Sequence, residues 1–133
     1  TDLKTPLEVS QKLHGHADIS LELLSEIEPG ENKELQVTLH DIRTIALLGK
    51  YYAYKIAGSA YVALTRETRS QEYKQMAIEE LTKALEYWKK FTSTALEQNI
   101  NPLWANRVGY VDWVKTTQWV EDDIKMAGED TIL

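Results

Sequence analysis

Cysteine is absent from this chain. With it go disulfides, thiol catalysis, zinc fingers and iron–sulfur ligation. Glycine and proline are scarce, at six and three, which argues against a collagen-like or low-complexity chain. No apolar run approaches the ~20 residues that a membrane-spanning helix needs. The most apolar stretch, Ile45-Ala46-Leu47-Leu48-Gly49, meets Lys50 at once. No signal-peptide pattern opens the sequence, and no basic block occurs. The 15 Lys and Arg stand against 21 Asp and Glu, a net charge of −6, which is a poor basis for holding a nucleic-acid backbone. Thr1-Asp2-Leu3 lacks an initiator Met, so a processed protein or a domain excised from a longer chain is expected. What is present is 133 residues, 43% hydrophobic and 27% charged. That is the make-up of one globular domain, 1–133, able to bury roughly two-thirds of its extended-chain surface without staples.

Hydrophobic periodicity predicts four helices. Thr5-Pro6-Leu7-Glu8 reads as a start, with a capping Thr, Pro at the first helical position and Glu three residues after the cap. Val9, Leu13, Ala17, Leu21, Leu24 and Ile27 follow at spacings of four and three, and Pro29-Gly30 ends the helix. A long second helix is predicted over 32–67. Its seam, Leu35, Leu39, Ile42, Ala46, Gly49, Ala53, Ile56, Ala60 and Ala63, turns to small residues that admit a close neighbour. Gly49, Ala53 and Ala60 are expected against the third helix. That helix is predicted over 70–99 on the stripe Tyr73, Ala77, Leu81, Ala84, Trp88, Phe91, Ala95. Pro102 breaks the pattern, 103–110 reads as an ordered loop without strand signals, and a last helix is predicted over 111–127. Short connections make neighbours antiparallel. The expected fold is all-α: an antiparallel four-helix bundle with a long central second helix and an aromatic loop before the last helix.

Chemistry-bearing patterns are few. The di-iron bundle motif needs Glu three residues before His, but Gln11, Leu13 and Val37 precede His14, His16 and His40. No metal ligand set, no cofactor and no catalytic residue is expected. Gly-x-Ser-x-Gly and Gly-rich phosphate loops are absent. The acidic groups Glu79, Glu80, Glu121, Asp122 and Asp123 read as solvated helix faces. The distinctive segment is 99–119. Three of the four tryptophans lie there, Trp104, Trp113 and Trp119, among Tyr110, Asn106, Arg107 and other amides. Indole faces can stack on a sugar ring while amides and a guanidinium take its hydroxyls; equally, Trp and Tyr can cap a bundle end. Packing is the weightier reading for Trp113 and Trp119, and contact with a ligand is open for Trp104.

The run from Asp41-Ile42-Arg43 through Gly49-Lys50-Tyr51-Tyr52-Ala53-Tyr54-Lys55-Ile56, with Ala84-Leu85-Glu86-Tyr87-Trp88 and Arg107-Val108-Gly109-Tyr110-Val111-Asp112-Trp113, resembles the helical part behind the catalytic region of large bacterial polysaccharide-degrading proteins. It is similar in particular to the α-glucuronidase-like glycoside hydrolases, over about residues 35 to 127. The resemblance implies a non-catalytic accessory domain that packs on the catalytic domain of its parent chain or assists glycan binding, in a periplasmic or secreted protein. It carries over no acid/base carboxylate. The expected substrate-binding residues are Trp104, Asn106, Arg107, Tyr110 and Trp113. The alternative is a helical protein-interaction or dimerisation module, with the aromatics anchoring a partner helix or a homodimer.

Overall fold

The computed structural model describes residues 3–129. The chain is predominantly helical: α1 (Pro6–Ser25), α2 (Lys33–Thr68), α3 (Gln71–Leu96) and α4 (Trp113–Glu129), with a two-stranded hairpin, β1 (Leu103–Ala105) and β2 (Gly109–Val111), between α3 and α4. None of these helices is long and apolar enough to cross a membrane. The ends follow local chemistry. Glu8 N–H donates to Thr5 Oγ1 and Thr5 N–H to Glu8 Oε2, completing the capping box that the sequence predicted. Asn32 and Ser70 cap α2 and α3 through Leu35 and Tyr73 N–H. Arg69 adopts the left-handed conformation, φ 59°, that closes α2.

Helix packing is sequential, α1 on α2, α2 on α3 and α3 on α4. The residue pairs across each contact run in opposite directions. Ser10 Oγ donates to the Ala53 carbonyl, and the Lys50 ammonium to Asp18. Tyr51 rests on Trp88, and Tyr54 stacks on Tyr87. Phe91 meets Trp113, and Trp88 Nε1 donates to Thr117. Two clusters form the core. One joins Tyr51, Ala84, Trp88, Phe91, Ala95 and Val120; the other joins Val62, Ala77, Leu81 and Ala127. The predicted α3 stripe is buried almost throughout.

Two expectations are corrected. The small-residue seam of α2 does not face α3: Gly49 lies against Ala17, and Ala53, fully buried, against Ser10. α1 therefore occupies that side. Ala60 is only half-buried. The side of α2 that meets α3 carries Tyr51, Tyr54 and Gly58. Both sides of α2 are apolar, so periodicity alone could not say which neighbour takes which side. The second correction is the hairpin, which stands where an ordered loop without strands was expected.

Candidate functional site

After α3 the chain is fixed by side chains binding backbone. Asn99 Nδ2 donates to the Ala95 carbonyl. Asn101 then spans the base of the hairpin: its Nδ2 donates to Asp112 Oδ1, and its Oδ1 accepts from Trp113 N–H, both at 2.9 Å. Asp112 Oδ1 also accepts from Lys115 N–H and so caps α4. That backbone donor, with the Asn101 amide, holds the Asp112 carboxyl below its ordinary range. The Asn101–Pro102 peptide is cis. The strands pair antiparallel as Leu103 with Val111, Trp104 with Tyr110, and Ala105 with Gly109. Gly109 has φ 79°, in the left-handed region that suits the residue closing a three-residue hairpin loop.

Alternation along the strands sends Trp104 and Tyr110 to one face. Their rings meet edge to face with centroids 5.1 Å apart, yet remain 60% and 75% exposed. Next to them opens a cleft of about 530 Å³, lined by Pro102, Val108, Tyr110, Lys115, Thr116 and Trp119. Trp119 is 70% exposed. Asn106 and Arg107 lie at the exposed tip. Of the five residues expected to bind substrate, Trp104 and Tyr110 form one surface and Asn106 and Arg107 flank it on the hairpin tip. Trp113 is half-buried with its ring on Phe91, inside the packing of α3 and α4.

Trp119, read together with Trp113 as a packing residue, stands in solvent instead. The signal was present: Trp119 lies about 100° around the helix from Val120, off the stripe Trp113, Thr117, Val120, Ile124, Ala127.

Other groups take structural places. His14 stands edge-on to Tyr54, and burial, reinforced by Lys50, holds its imidazole below the ordinary range. His40 meets Glu97 at 3.0 Å. Among the described residues no three His, Asp or Glu side chains converge as a metal site. The acidic run is less solvated than expected. Asp123 is half-buried on Lys55, and Glu121 on Lys89. Burial lifts the Glu80 carboxyl above its usual range despite Lys83. A second cleft of about 530 Å³ between α2 and α3 holds Arg43, Lys89 and Lys90. Lys90 is bound to Glu86 and Lys89 to Glu121.

No family model, curated protein or solved structure matches the chain. What can be defined is therefore the class: a helical scaffold displaying an exposed aromatic hairpin.

Proposed function

We propose that this chain is a non-catalytic helical accessory domain of a carbohydrate-active protein, with the hairpin as its glycan-contacting surface. The observation that carries the reading is the exposed pair Trp104 and Tyr110, continued by Trp119 along the neighbouring cleft. Large aromatic faces left in water by a chain that buries other aromatics so well are suited to C–H faces of a sugar ring. Arg107 at the tip supplies a guanidinium for a uronate carboxylate, and Asn106 an amide for hydroxyls. In the same reading the four antiparallel helices act as a bundle that holds the hairpin rigidly against the catalytic domain of the parent chain. The resemblance to helical regions of α-glucuronidase-like hydrolases supports the choice of an acidic xylan as the glycan.

The test is titration of the domain with glucuronic-acid-substituted xylo-oligosaccharides. Binding should be lost in Trp104→Ala and weakened in Arg107→Ala, with both variants folded. Absence of binding by the unaltered domain at millimolar ligand would overturn the assignment.

A further inference from the structure

The side of the α1–α2 pair turned away from α3 is apolar and uncovered, and it carries a regular pattern. On α2, Ile42, Ile45, Gly49, Tyr52, Ile56, Ser59 and Ala63 recur at three and four residues without a charge among them. Ile45 is 69% exposed and Tyr52 49%. On α1, Val9, Leu13, His16, Ser20 and Leu23 recur in the same rhythm. The two rows lie side by side, because Leu13, His16 and Ser20 line one cleft of about 280 Å³ with Ile42, Ile45 and Gly49. Sustained three–four spacing on a solvent-facing side is the pattern of a helix that expects another helix.

We propose that this face pairs with the same face of a second copy, the two α2 helices running antiparallel about a two-fold axis at Tyr52. The α2 row is self-complementary only in that arrangement. Reversal about Tyr52 sets Ile42 opposite Ala63, Ile45 opposite Ser59 and Ile56 opposite Gly49, so each isoleucine of the row meets a small residue, while Tyr52 on the axis meets its own copy. A parallel pairing would oppose Ile45 to Ile45 and leave a gap at Gly49. An isologous contact of this kind is the usual basis of a two-fold dimer. The size suffices: two helices about 30 Å long and about 8–10 Å apart present roughly 600 Å², near the ~800 Å² that each partner gives to a standard interface. The hairpin platform is not part of this face, so the inference stands independently of glycan binding.

Sedimentation equilibrium of the full chain at high micromolar concentration should give twice the 15.3 kDa chain mass. Ile45→Glu should return the monomer with unchanged helical circular dichroism. Because the chain has no cysteine, cross-linking can read the register. Tyr52→Cys should oxidise to a covalent dimer and Ile42→Cys alone should not, whereas Ile42→Cys combined with Ala63→Cys should. A chain monomeric at every concentration would overturn the proposal, as would a dimer that survives Ile45→Glu. Efficient cross-linking of Ile42→Cys to itself would overturn the antiparallel register.

Discussion

Leu81 fills the space that a side chain at Gly58 would need. A Cβ built there would lie 2.7 Å from both Cγ and Cδ2 of Leu81 and 3.4 Å from its backbone nitrogen. This is the closest approach of α2 to α3 at a glycine, and Leu81 Cγ, at the branch point of a side chain that is 2% exposed, cannot swing clear as a free chain end would. Gly58→Ala should therefore destabilise the fold by about 1–3 kcal/mol through overpacking, more than the ~1 kcal/mol that alanine gains in helix propensity. Gly15 is the control. It lies inside α1, and a Cβ there meets nothing within 4 Å. Gly15→Ala should stabilise by about 0.5–1 kcal/mol. Urea midpoints that moved in the same direction for both variants would refute this account of the α2–α3 contact.

Tyr51 makes stability fall in strong alkali. Burial, helped by Asp123 and Tyr52, pushes its phenol up to about 12, whereas an unfolded chain holds it near 10. Below about pH 10 the phenol is protonated in both states, and its contribution is fully present. Between about pH 10 and 12 the unfolded chain releases a proton that the folded one retains, so stability is lost as pH rises through that window. Tyr51→Phe should flatten the part of the decline that this residue causes. Denaturation midpoints across the window, compared between the two proteins, provide the check.

Lys50 is only 6% exposed. Its ammonium bonds Asp18 at 2.7 Å and sits 5.5 Å from the ring centroids of Tyr54 and Tyr87. Removing one partner from such a pair leaves a sequestered charge, whereas removing the cation itself relieves its desolvation. Asp18→Ala should cost about 1–3 kcal/mol, on the low side because the carboxylate is largely in water. Lys50→Met should be near neutral. If Lys50→Met proves the more damaging, the aromatic contacts of the ammonium outweigh its desolvation.

Trp104 and Trp113 should separate by stability. Trp104 stands in solvent, so Trp104→Ala should lose less than about 1 kcal/mol. Trp113 packs on Phe91, and Trp113→Ala should approach the lower end of about 3–5 kcal/mol. Thermal melts of the two variants decide the matter, and comparable losses would contradict the hairpin geometry.

The helices were legible because their apolar stripes and caps are local. Thr5 and Glu8 lie three residues apart, and the Tyr73–Ala95 stripe needs no knowledge of its neighbour. The partner of each α2 side was not legible, because a helix apolar around most of its girth gives the same period whichever side is read. The hairpin was hidden for another reason. Its strands are three residues each, too short for alternation to register, and the Asn101 and Asp112 bonds that close it span 11 and 12 residues. At the candidate site, Trp104 and Tyr110, singled out from composition, share one exposed face; Trp113 packs on Phe91, as the packing reading had it, whereas Trp119, read in the same way, stands in solvent. Which side of α4 faces solvent is decided by α3, and the residue count from 113 to 119 alone does not reveal it.

The Asn101 clasp has a kinetic consequence. Its amide fastens the hairpin to the first turn of α4 from both of its polar atoms, so the aromatic surface is held in place while it is empty. For the glycan proposed above there would then be no loop to gather up on arrival; encounter would be a matter of diffusion and orientation, and residence time would distinguish one ligand from another. Asn101→Ala would turn the same surface into one that must be assembled at each encounter, slowing arrival while the ring contacts that govern departure remain.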